Sequence, residues 1–158
     1  MAPPALPDIA SDAAAPRAMP RSLGQQAFDD GWAAMRRNDF TEAANIFERA
    51  VAVTSEPHVI EDATFWRAVA LARKGEVVTA AHVLTAYLRA YPDSARTGEA
   101  RVVLGWLLLE RGDLEDARRS FLAATADGSQ RVRDAAQHGL AAVASLPHAN
   151  IWPRGSTK

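Results

Sequence analysis

Apolar residues recur along this chain at helical spacing, and the pattern is clearest between Glu99 and Ala126. Val102, Val103, Leu104, Trp106, Leu107, Leu108 and Leu109 cover most of a helix surface, which predicts a helix buried on several sides, with Leu108 packed between neighbouring elements. Gly112 interrupts the run, and Asp113 stands where an N-cap would open a new helix. Leu114, Ala117, Phe121, Leu122 and Ala124 then follow at spacings of three and four, giving a single apolar face. A break this short makes the two helices antiparallel neighbours.

The same hairpin pattern occurs twice upstream. Asn38, Gly75 and Gly112 are each 37 residues apart, and Asp39, Glu76 and Asp113 follow them. Small residues stand at Gly31, Ala68 and Gly105, and again at Ala43, Ala80 and Ala117. Phe47, Leu84 and Phe121 come four residues after the second set, and Ala50, Tyr87 and Ala124 three residues later still. Repetition of aligned residue classes at one such period predicts a solenoid of stacked helical hairpins. The predicted helices are Leu23–Arg37, Phe40–Val53, His58–Lys74, Val77–Ala90, the Glu99–Arg111 run, one opening at Leu114, and Gln130–Ser145. Ser22 and Ser94 are the expected caps of the first and fifth. The seventh helix is expected to close the solenoid, with Arg131, Arg133, Asp134, Gln137 and His138 as its polar outer face.

The order small–x6–Gly/Asn–Asp–apolar–x2–Ala–x3–Phe–x2–Ala resembles the tetratricopeptide repeat. Three copies cover residues 23–54, 60–91 and 97–127. Asp30 and Arg67 stand where that family usually has an aliphatic residue, and Tyr87 where it has a small one. The usual repeat is about 34 residues long, and the added residues here fall between hairpins, at Ser55-Glu56-Pro57 and Tyr91-Pro92-Asp93-Ser94. That long spacing is similar to a bacterial cell-envelope subgroup. The resemblance implies an all-α, right-handed superhelical solenoid of three hairpins plus a C-terminal capping helix. It implies a non-enzymatic scaffold for a partner protein or peptide, in a periplasmic or envelope setting, with a cytoplasmic one as the alternative. A self-associating structural subunit and a secretion-type chaperone are the competing readings.

In this family the first helix of each hairpin faces a concave groove. The resemblance therefore assigns partner binding to Phe28, Trp32 and Arg36, to Phe65, Val69 and Arg73, and to Val102, Trp106 and Glu110, the alternative being that the aromatics among them are core, filling space between hairpins. Each triplet shares one helix face and ends in a charge, as an apolar centre with a polar rim would. Trp66, next to Phe65, is expected in the core.

Composition narrows the function further. Net charge is −1, so no basic surplus points to nucleic acid or an anionic membrane. The chain has no cysteine, which excludes disulfides and thiolate chemistry. No apolar run reaches the roughly 20 residues of a membrane span. The histidines (His58, His82, His138 and His148) lack metal-ligand spacing, and no phosphate loop, G-x-S-x-G or dinucleotide fingerprint occurs. The turn carboxylates Glu110, Asp113, Glu115 and Asp116 suit capping and the helix dipole better than catalysis. The sequence thus offers no catalytic residue, metal site or cofactor. Residues 1–21 hold five of the nine prolines and are expected to be a disordered Ala/Pro-rich tail; 22–146 form the repeat domain, and 147–158 a second tail.

Overall fold

The computed structural model describes residues 21–146. The two predicted tails lie outside this range, except for Arg21, whose guanidinium donates to Asp29 at 2.8 Å. Among the described residues there are seven helices and no strand: α1 Leu23–Arg36, α2 Phe40–Val53, α3 Pro57–Lys74, α4 Val77–Ala90, α5 Thr97–Glu110, α6 Leu114–Ala124 and α7 Gln130–Ser145. The fold is an all-α solenoid of three hairpins, α1/α2, α3/α4 and α5/α6, followed by α7.

The three hairpin turns share one hydrogen-bonded geometry. Asn38, Gly75 and Gly112 adopt φ of 59°, 90° and 83°, the left-handed region that glycine reaches without steric cost and asparagine tolerates. Each places the following amide to donate back across the turn: Asp39 to Ala34 at 3.0 Å, Glu76 to Leu71 at 2.9 Å and Asp113 to Leu108 at 2.9 Å. These bonds satisfy carbonyls that the helix end leaves open. The Asp39 side chain caps α2 by accepting from Glu42 N at 3.0 Å. Asp113, expected in the same role on α6, makes no such bond. Ser22 caps α1 as expected, accepting from Gln25 N at 3.1 Å. Ser94 does not cap α5, which opens after Arg96; its hydroxyl accepts the Arg96 amide instead, holding the connecting turn.

Plugs from the second helices fill the space between first helices. Phe47, Leu84 and Phe121 are all fully buried, as are Ala43, Ala80 and Ala117. A Cβ on Gly31 would come within 2.6 Å of the Phe47 ring, and one on Gly105 within 2.6 Å of Phe121. Glycine at those sites lets the ring lie directly on helix backbone. Gly139 of α7 abuts the same Phe121 ring, so that plug is held between α5 and α7. Of the α5 leucines, Leu104 and Leu107 are buried; Leu108, expected between hairpins, is only half-buried. Its side chain leans on the core while its carbonyl takes part in the turn.

Neighbouring first helices touch, α1 with α3, α3 with α5 and α5 with α7, whereas α2, α4 and α6 make no close backbone contact with one another. Helices in mutual contact on one side and separated on the other define a curved stack, with the first helices and α7 on its inner face.

Candidate functional site

The inner face carries an open cavity of about 360 Å³ where α3, α5 and α7 converge. Phe65, Trp66, Val69 and Arg73 project from α3, Glu99, Val102 and Val103 from α5, and Arg131, Val132 and Ala135 from α7. Spacings of three and four bring these side chains to one stripe on each helix. The floor is apolar and the charges stand at the edges, the arrangement of a site that holds an apolar group and orients it with a few polar contacts.

Of the predicted groove residues, Phe65, Val69, Arg73 and Val102 meet in this cavity. Burial separates the two adjacent aromatics. Phe65 is only 2% exposed and belongs to the core, closing the cavity floor, whereas Trp66, expected in the core, is partly exposed in the cavity wall. The physical reason is that α3 is buried on two sides. It packs against α2 and α4 as well as facing inward, so one of two neighbouring aromatics must turn to the hairpin interior.

Trp106 and Glu110 lie in a second cavity, of about 450 Å³, between the ends of α5 and α7. Trp106 is 36% exposed, with its ring edge-on to Phe121 at 5.3 Å and to His138 at 5.7 Å. Phe28, Trp32 and Arg36 border neither cavity. Phe28 packs on Phe47, with centroids 5.7 Å apart, and Trp32 on Trp66 at 4.3 Å. Both lean on the core and are partly buried, while Arg36 is exposed.

Ion pairs hold the rim of the first cavity. Arg96 donates to Asp62 at 2.7 Å and places its guanidinium 5.4 Å from the centroids of Phe65 and Trp66. Such a cation over two aromatic faces contributes about 0.5–2 kcal/mol. It also ties the start of α5 to α3. Glu99 pairs with Arg131, linking α5 to α7. Arg73, by contrast, makes no ion pair among the described residues and points its charge at the cavity edge.

Beneath the connection between the second and third hairpins lies Tyr87, 1% exposed. Its hydroxyl shares a 2.8 Å hydrogen bond with Ser94 and approaches Glu61 at 3.4 Å. Burial pushes its phenol above the ordinary value near 10, the Ser94 bond opposes this, and the Glu61 charge adds to it.

The sequence reading missed the α7 wall. Arg131, Asp134, Gln137 and His138 are exposed, as expected of a polar face, and Arg131 and His138 also reach Glu99 and Trp106 respectively. The signal was present: Val132, Ala135 and Ala136 continue the apolar stripe of a first helix, and Val132 and Ala136 are buried against Ala124. Arg133 turns back to bond the carbonyls of Asp127 and Gly128 at 2.6 and 2.9 Å. Among the described residues no group of three or more His, Asp or Glu side chains could hold a metal ion, and no helix is long and apolar enough to cross a membrane.

Comparison with known proteins matches this geometry. A family model described as a tetratricopeptide repeat fits residues 28–95 and 95–132. Among solved structures, the TPR domain of Sgt2 from Aspergillus fumigatus superposes with a TM-score of 0.63 at 22% identity, over 82% of this chain and 83% of that one. At that identity the likeness speaks for the fold. No curated protein matches the sequence. The family model spans well over half of the 158 residues, and its repeats coincide with the three hairpins and the start of α7. The chain belongs to the tetratricopeptide repeat family.

Proposed function

We propose that this chain is a protein-interaction scaffold whose inner face takes an apolar segment of a partner protein in the α3–α5–α7 cavity. The observation that carries the reading is that cavity: an open space of about 360 Å³, with Trp66, Val69, Val102 and Val103 in its walls. Apolar side chains left facing a solvent-filled cleft have a role in association rather than in the core. Arg73, free of any ion pair among the described residues, favours a carboxylate on the incoming segment. Tetratricopeptide proteins are generally non-catalytic scaffolds, and we read this chain as one. We place it in a bacterial envelope assembly, a setting that rests on the 37-residue spacing and the Tyr91-Pro92-Asp93-Ser94 connection.

A photo-crosslinking residue introduced in place of Val69 is expected to trap a protein in source cells, while one at exposed Val78, on the second helix of the same hairpin, does not. A peptide from the trapped segment should then lose at least about tenfold in affinity with Val102→Arg, a loss of 1.4 kcal/mol or more. Helical circular dichroism should stay unchanged. Equal trapping at both positions, or undiminished peptide affinity, sinks the proposal. Cell fractionation tests the envelope setting separately.

A further inference from the structure

The end of the stack breaks the repeat at two buried positions. Ala44 of α2 and Ala81 of α4 are buried, but 37 residues further on the equivalent residue of α6 is Arg118, which is exposed. Ala63 of α3 and Ala100 of α5 are fully buried, and their equivalent on α7 is Gln137, also exposed. Long polar side chains at alanine positions disfavour a further hairpin of the same kind, and with it head-to-tail stacking of copies. A third cavity, of about 300 Å³, opens beside Arg118 between α6 and α7. Leu114, Leu140, Val143 and Leu146 give it an apolar lining, and Glu115 and Arg118 border it. On α6 the exposed residues Glu115, Arg118 and Leu122 follow at spacings of three and four, so they share one stripe. Leu122 is 44% exposed, a large apolar side chain outside the core. The neighbouring charges are paired, Asp113 with Arg111 and Asp116 with Arg119, whereas Glu115 and Arg118 make no ion pair among the described residues.

We infer that this edge binds a second copy of itself, in a two-fold dimer built on α6 and α7. In a two-fold contact a residue that meets another is met by it in return, so knob and hole must lie on one surface. Here they do. Arg118 stands midway between Leu114, in the cavity lining, and Leu122, the exposed knob. A two-fold axis crossing α6 at Arg118 runs the two copies of the helix antiparallel. Each Leu122, about 6 Å along the helix from Arg118, then sits over the Leu114 end of the opposite cavity. Glu115 lies about 4.5 Å from Arg118 along the helix, on the side away from Leu122, so each Arg118 comes beside the opposite copy's Glu115. The two arginines and two glutamates form a neutral cluster in which every charge left unpaired in the single chain gains a partner. This edge and the inner-face cavity share no residue, so the dimer and the partner reading above can each fail alone.

Sedimentation equilibrium of the full chain should show a dimer with a dissociation constant of about 100 μM or tighter, as suits a small interface. Glu115→Arg and Arg118→Glu each gather charges of one sign at the contact, and each should weaken the dimer at least about tenfold. An equimolar mixture of the two variants should restore it, because each supplies the charge the other lacks. The double variant Glu115→Arg with Arg118→Glu should restore it as well. Leu122→Ser should weaken it about tenfold with the charges intact. All three side chains are exposed, so helical circular dichroism should persist in every variant. A native chain that stays monomeric at about 300 μM overturns the inference and leaves the edge to a different protein or to solvent. Single variants that dimerise as tightly as the native chain, or a mixture that fails to recover, overturn it equally.

Discussion

The middle hairpin and its two neighbours solve the same packing problem with different residues. In the first and third hairpins a glycine on the first helix lies against a phenylalanine from the second, Gly31 with Phe47 and Gly105 with Phe121. In the middle hairpin the equivalent residues are Ala68 and Leu84, both fully buried. A methyl group is added on one side and the ring is exchanged for a smaller side chain on the other. What repeats along this solenoid is the filled volume between two helices, as dense interiors require, and the identity of the residues follows from it. A second exchange adds to the contrast. Ala50 and Ala124 flank the plugs in the outer hairpins, whereas the middle one has Tyr87, which fills the space beneath the 91–94 connection and bonds Ser94.

Tyr87→Ala should therefore have the largest effect. It would give the middle hairpin the residue its neighbours carry, without the surroundings that make alanine fit. A loss of about 3–5 kcal/mol is expected from the cavity left behind, as for other core aromatics. Urea melts read it directly. A loss below about 1 kcal/mol would mean that the 91–94 connection collapses into the space, and that the hairpins are interchangeable after all.

The Gly–Phe and Ala–Leu pairs can be exchanged in the same way. Gly31→Ala drives a Cβ to within 2.6 Å of the Phe47 ring, and overpacking of this kind costs about 1–3 kcal/mol, partly offset by better helix propensity. Phe47→Leu alone leaves a void. Combined, the two changes reproduce the Ala68–Leu84 pair. The double variant should be more stable than the sum of the single losses predicts, with a coupling of about 0.5–3 kcal/mol. Strict additivity in denaturant melts would show that the pairs are independent and that volume is not what is matched.

These comparisons also show which features could be read from the sequence. The turns at Asn38, Gly75 and Gly112 were legible because left-handed backbone is a local demand that few residues meet. The plugs were legible because their 37-residue spacing outlasts changes of residue type. The two faces of α3 were not. Phe65 and Trp66 are adjacent on a helix that is buried on two sides, so helical periodicity gives no preference, and only the placement of α2 and α4 around α3 decides that Phe65 turns to the hairpin interior. The α7 wall was missed for a related reason. A helix read alone as a cap was given an outer face for Arg131, whereas α5 supplies a carboxylate, Glu99, that draws this residue to the rim of the cavity.

Alkaline pH sharpens the Tyr87 contrast at lower amplitude. Burial raises the folded-state phenol above its unfolded value of about 10, so the folded chain holds this proton more tightly than the unfolded one. The resulting stability is fully present below the unfolded value and is lost as pH rises through the folded one. At neutral pH, Tyr87→Phe should cost about 0.5–1.5 kcal/mol for the hydrogen bond to Ser94. Measured against that variant, the native advantage should shrink over a window that opens near the unfolded value of about pH 10 and extends upward. A difference that stays constant across that window would show that the phenol titrates alike in both states.

The smallest effects should come from the other departures from the repeat pattern, and their size decides what a departure means. Arg67, like Tyr87, occupies a position where the family has another type of side chain. It lies at the α2–α3 junction, with its guanidinium 2.7 Å from Glu48, a residue with more than half of its side chain exposed. The pair gains little over water and costs side-chain entropy, as exposed ion pairs do. Asp30 is exposed on α1 and makes no ion pair among the described residues. Arg67→Ala and Asp30→Ala should each change stability by less than about 1 kcal/mol. A double-mutant cycle of Arg67→Ala with Glu48→Ala should give a coupling of at most about 1 kcal/mol, falling further in high salt. If instead Arg67→Ala alone cost as much as Tyr87→Ala, its alkyl stem would be packing between α2 and α3 in place of the family's aliphatic residue. Volume matching would then extend from the plugs to the hairpin surface.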